Sequence, residues 1–80
     1  MSVIKPELLE AVLRSPEAHW ELRGVMRALL AEGHPREDLV NELMQFKTTI
    51  WDDDEREQDI DAINDVLADL TGYCAAHMRL

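Results

Sequence analysis

Carboxylates are where this sequence concentrates its chemistry. Asp52, Asp53, Asp54, Glu55, Glu57, Asp59, Asp61, Asp65 and Asp69 crowd into one stretch near the C-terminal end. Side chains of this type can hold a divalent cation, trade protons in catalysis, or present charge to a partner. Asp52-Asp53-Asp54 opens like a calcium loop. The fifth loop position would then be Arg56 and the sixth Glu57, where a sharp turn needs glycine, so the pattern fails.

Other metal chemistry is no better served. Glu7/Glu10 and Asp61/Asp65 have the spacing of paired magnesium carboxylates. Helical pyrophosphatases use paired acidic motifs similar to these. Here the helical wheels turn the carboxylates outward, and the dense Glu-Glu-x-x-Glu clustering of such sites is missing. Cys74 and His77 are spaced to chelate zinc, with His19 or His34 as further candidates. A structural zinc site needs four clear ligands, so Cys74 reads as a small buried hydrophobe. There is no phosphate-binding glycine loop. No nucleophile–base pair offers itself beyond Cys74 and His77. The sequence therefore predicts neither an enzyme nor a metal or cofactor site.

Presenting charge is the use that is left. On a helix, Asp61, Asp65 and Asp69 form one row opposite the apolar stripe. Such a row opposes its own helix. Aspartate is a poor helix former, and like charges at i, i+4 cost about 0.2–0.5 kcal/mol per pair. Asp69 also falls near the negative end of the helix dipole. No lysine or arginine lies within the row. One reading is a solvated face that keeps the protein soluble. The other is a docking surface for a basic partner, formed by Asp52, Asp53, Asp54, Glu57, Asp61, Asp65 and Asp69, with Trp51 and Tyr73 as anchors.

The elements that must position these groups are helices. Apolar residues make up 46% of 80, enough for a folded core, and only three glycines and three prolines offer turns. That favours a few helices over many short strands, in one domain spanning 1–80. A first helix starts at Pro6, whose fixed φ suits the first helical position. Ile4, Leu8, Leu9, Val12 and Leu13 give it one buried face. Ser15-Pro16-Glu17 starts a second helix by the same logic and Gly33 ends it. A third follows His34-Pro35, with Leu39, Val40, Leu43, Met44, Phe46, Ile50 and Trp51 as its apolar positions. Asp52–Asp54 cap a fourth, whose apolar side carries Ile60, Ile63, Val66, Leu67, Leu70, Tyr73 and Cys74 and which Gly72 ends or loosens. Tyr73–Leu80 forms a tail able to add one more turn. The short connections predict an all-α, compact antiparallel bundle of three to four helices. In helix two Leu22, Val25, Met26, Leu29 and Leu30 point one way, and Trp20 lies on nearly the opposite side, near Gly24, Arg27 and Ala31. It is expected to pack against another helix, with helix two central. Lys47 is expected to lay its stem along the core edge with its amine in water.

Net charge narrows the partner. It is −9 overall, with eight acids against six bases in residues 1–51 and nine against two in 52–80. Such a field repels nucleic acid and anionic membranes and attracts basic protein surfaces. One cysteine, no signal-like apolar run and no membrane-length segment point to the cytoplasm. In length, helical content and acidity the chain is similar to nuclease-inhibiting immunity proteins of the colicin type. It lacks the aromatic pair of their short binding helix. The expected function is that of a small acidic binding protein, immunity- or antitoxin-like, which neutralises or regulates a basic partner such as a toxin or a nucleic-acid-binding protein. The alternative is a structural or adaptor module that self-associates as a homodimer through Trp20, the exposed edges of the apolar stripes and the tail.

Overall fold

The computed structural model describes residues 4–72 and Leu80. Among these, every regular element is helical: α1 (Pro6–Leu13), α2 (Ala18–Ala31), α3 (Arg36–Ile50), a 3₁₀ turn (Asp54–Arg56) and α4 (Glu57–Thr71). Each boundary has a local cause. Pro6 opens α1 with the φ a first turn needs. Pro35, in an extended conformation, precedes α3. The end of α2 is a Schellman motif: Gly33 N–H donates to the Leu30 carbonyl (3.0 Å) and His34 N–H to the Leu29 carbonyl (3.1 Å). Gly33 takes φ +99° to allow it, and Gly72 closes α4 with φ +85°.

Two starts differ from expectation. The Ser15 hydroxyl does not cap α2. It accepts from Glu17 N–H at 3.2 Å and caps a turn, so the helix begins only at Ala18. Of the three aspartates, Asp53 does the capping. Its carboxylate accepts from Glu55 N–H at 3.0 Å and starts the 3₁₀ turn that leads into α4.

The core is one cluster shared by all four helices. Leu22, Met26, Leu39, Leu43, Ile63, Val66 and Leu70 are fully buried, with Ile4, Leu9, Val12, Leu13, Ile50 and Ala62 around them. α4 is the central element, packing against both α2 and α3, while α1 packs on α2. Two hydrogen bonds fix the pairing of α3 and α4 as antiparallel. Arg36 Nη1 at the start of α3 donates to the Leu70 carbonyl at the end of α4 (2.9 Å), and Lys47 Nζ further along donates to Asn64 Oδ1 (2.9 Å). The chain is compact, with a radius of gyration of 11.8 Å. No described helix is long and apolar enough to cross a membrane.

Three apolar expectations are corrected. Leu8 and Met44 are exposed, because α1 and α3 each bury only one side. Trp20 does not fill an interhelical site. It is 55% exposed, since α4 rather than α2 takes the centre and the outer face of α2 meets solvent. Lys47 behaves as expected, half-buried with its amine at the surface.

A candidate acidic docking surface

The three members of the aspartate row do not share one fate. Asp61 and Asp65 are exposed on α4, whereas Asp69 is 3% exposed. The cause is helical geometry: positions four apart advance about 40° around the axis. Two such steps carry Asp69 off the solvent face and onto the side that packs against α2. There His19 Nε2 lies 3.2 Å from Asp69 Oδ2 and Arg23 Nε lies 3.4 Å from the same oxygen. The Asp69 carbonyl accepts from Leu80 N–H at 3.1 Å, which ties the chain end to α4. Asp69 is thus an internal link between α2 and α4 and leaves the predicted docking set. His19 and Arg23 were not foreseen as its partners. Their signal was available, because an i, i+4 basic pair at the edge of the Leu22/Met26 face asks for an inward acid.

Asp59 is also engaged inside the molecule. Arg56 donates through Nε to Asp59 and through Nη2 to Glu10 Oε2 (3.0 Å), so one guanidinium pins the start of α4 to α1. The Asp59 hydrogen bond, helped by Glu10 and opposed by burial, holds Arg56 above its ordinary pKa. Arg56 stays charged across the working pH range and acts as a fixed clamp.

What is left is an exposed acidic surface. Asp52, Asp54, Glu55, Glu57, Asp61 and Asp65 all face solvent, and none has an ion-pair partner among the described residues. Asp53, the cap, is exposed beside them. On the α2 side, Asp59, Asp61 and Asp65 form one wall of an open cleft of about 330 Å³, with Ser15, Ala18 and His19 opposite. On the α3 side stands Trp51, 60% exposed, with Lys47 Nζ 5.4 Å from its ring centroid. Met44 shares that exposed side of α3. The other expected anchor, Tyr73, and the pair Cys74/His77 lie outside the described residues.

No family model, curated protein or solved structure matches the chain. The residues carry the reading alone. Among the described residues no group of three or more His, Cys, Asp or Glu side chains is placed to hold a metal ion. What the exposed surface can do, on its own geometry, is attract and orient positive charge. Solvent-exposed carboxylates do this over about 8 Å at physiological ionic strength.

Proposed function

We propose that this protein is a small acidic binding module that docks on a basic protein and neutralises or regulates it, as an immunity protein or antitoxin would. One observation carries the proposal. The protein uses Arg56 and Arg23 to neutralise Asp59, Glu10 and Asp69, yet gives the row Glu57, Asp61, Asp65 and the Asp52–Glu55 segment no cation among the described residues. Charge left bare at helical spacing destabilises the helix that bears it. A partner that supplies the cations removes that penalty and gains fast, steered association. The reading makes the protein a binder without catalytic chemistry, and puts it in the cytoplasm, where a lone cysteine stays reduced.

Capture from host extract tests it. Tagged protein should retain a basic protein at low salt and release it at high salt, and the triple variant Glu57→Gln, Asp61→Asn, Asp65→Asn should fail to retain it. Capture that ignores both salt and the triple variant would sink the proposal.

A second reading, self-association, is favoured by Trp20. Its ring sits against His19, centroids 5.1 Å apart, and under Arg23, 5.9 Å from the guanidinium, yet still meets solvent. Beside it a Cβ at Gly24 would meet no atom within 4 Å, so the outer face of α2 is flat and open. A dimer built there would rest on apolar contact and survive high salt.

A further inference from the structure

Resting on the docking reading, we infer that the cleft between α4 and the start of α2 is a seat for one arginine side chain of the basic partner. The cleft holds acidic and apolar groups together. Asp61 and Asp65 stand on its α4 wall one helical turn apart, about 6 Å along the axis. Both are exposed, and neither has an ion-pair partner among the described residues. Leu13 and Ala62, both buried, and half-buried Ala18 supply an apolar floor. The His19 ring lines the cleft too, and its hydrogen bond to Asp69 holds it in place. The volume is about 330 Å³. That is near the lower end of the roughly 300–1,000 Å³ usual for ligand sites, room for one long side chain and not for a whole helix.

The chain's own cations are engaged elsewhere or lie outside the cleft. Arg56 is held by Asp59 and Glu10, which removes Asp59 from the acids on offer. Arg23 lies on Asp69, while Arg36 and Lys47 donate to Leu70 and Asn64. Arg14, between Leu13 and Ser15 in the chain, is exposed and does not line the cleft. Two carboxylates beside an apolar floor complement a side chain with an apolar stem and a positive head. Arginine fits better than lysine: its planar fork can donate to two acids at once, and it gives up its hydration more readily than an ammonium. Its stem then covers the floor while the head stays with Asp61 and Asp65 at the rim. A second copy of this chain is disfavoured as the source, because each copy carries net charge −9 and repels the other.

Nuclear magnetic resonance titration of the full chain at low salt tests the inference, with Nα-acetyl-arginine amide and Nα-acetyl-lysine amide as probes and sedimentation of the protein alone beside them. The arginine probe is expected to bind with a Kd of about 1–10 mM, the scale of one solvent-open contact, and about threefold tighter than the lysine probe. Shifts should centre on Ser15, Ala18, His19, Asp61 and Asp65. The double variant Asp61→Asn, Asp65→Asn should weaken binding about tenfold. Ala18→Leu, which narrows the cleft and keeps every charge, should also weaken it. Asp52→Asn, Asp54→Asn, which removes the same charge outside the cleft, should not. Unchanged circular dichroism separates lost binding from lost fold, and the exposed Asp61 and Asp65 keep the test available if Ala18→Leu does not fold. Shifts spread over all the exposed acids, or equal losses from the two double variants, would reduce the cleft to diffuse attraction and overturn the inference. Lysine binding as tightly as arginine, or no shift with either probe, would overturn it as well. A dimer of the protein alone, broken by Asp61→Asn, Asp65→Asn, would assign the cleft to a second copy with the same consequence. In each of these cases the docking reading still stands or falls on salt-dependent capture of a basic protein, so the two failures are distinguishable.

Discussion

Three aspartates on one helix, spaced evenly and identical in type, differ in what their charge does. Asp69 is buried against His19 and Arg23, while Asp61 and Asp65 face water. Removing Asp69 takes the hydrogen-bond partner from His19 and an ion-pair partner from Arg23. Asp69→Ala should therefore cost about 1–3 kcal/mol, the loss of one buried carboxylate contact to each, tempered by the partial exposure of His19. Against a total of about 4–12 kcal/mol for a domain of this length, that is a large share. The double variant Asp61→Asn, Asp65→Asn should instead be neutral or stabilising, by up to about 1 kcal/mol, since it removes the like-charge i, i+4 contacts Glu57/Asp61, Asp61/Asp65 and Asp65/Asp69. Urea unfolding of the two variants checks the assignment. Equal effects would mean that Asp69 is as exposed as its neighbours. The wheel showed the row but not its drift. Four-residue spacing in a 3.6-residue helix walks sideways, and only knowledge of where α2 packs tells when the walk reaches the interior.

At the scale of the element, glycine makes the sharpest test. Gly24 lies inside α2 and Gly33 just past its end, and an added Cβ meets nothing within 4 Å at either. Gly24→Ala should stabilise by about 0.5–1 kcal/mol, because alanine loses less backbone freedom in a helix. Gly33→Ala should destabilise by about 1–2 kcal/mol, because φ +99° crowds its Cβ against the backbone. Thermal melts of the pair should move in opposite directions. Shifts of one sign would contradict the helix end placed here. The same punctuation explains why the helices were legible. Pro6, Pro35, Gly33 and Gly72 constrain φ directly, and those constraints act before any tertiary contact forms. The central role of α4 was not legible. The apolar stripes of α2 and α4 both read as one-sided, and nothing local says which of two amphipathic helices sits between the others. The misplacement of Trp20 follows from that ambiguity, as does the unforeseen exposure of Met44.

For the whole molecule the distinguishing quantity is the uneven charge. A fold of this size closes its core with aliphatic side chains and needs no acidic surface to do so. Arg56 and Arg23 are placed on Asp59, Glu10 and Asp69, so the internal arrangement uses cations where they hold helices together. The segment from Asp52 to Asp65 then carries most of what is unbalanced. Of the docking set read from the sequence, Asp52, Asp53, Asp54, Glu57, Asp61, Asp65 and Trp51 do reach the surface, while Asp69 does not. Met44 joins the exposed side beside Trp51, at a position the sequence assigned to the core.

The most direct test is the salt dependence of affinity for the captured basic partner, in the native protein and in the Glu57→Gln, Asp61→Asn, Asp65→Asn variant. Screening weakens contacts between exposed charges and leaves apolar contacts nearly untouched. The account predicts that affinity of the native protein falls steadily as salt rises, and that the variant binds weakly with a much flatter dependence. Parallel lines for the two proteins, or affinity that holds at high salt, would contradict it and shift the function to the apolar faces around Trp20.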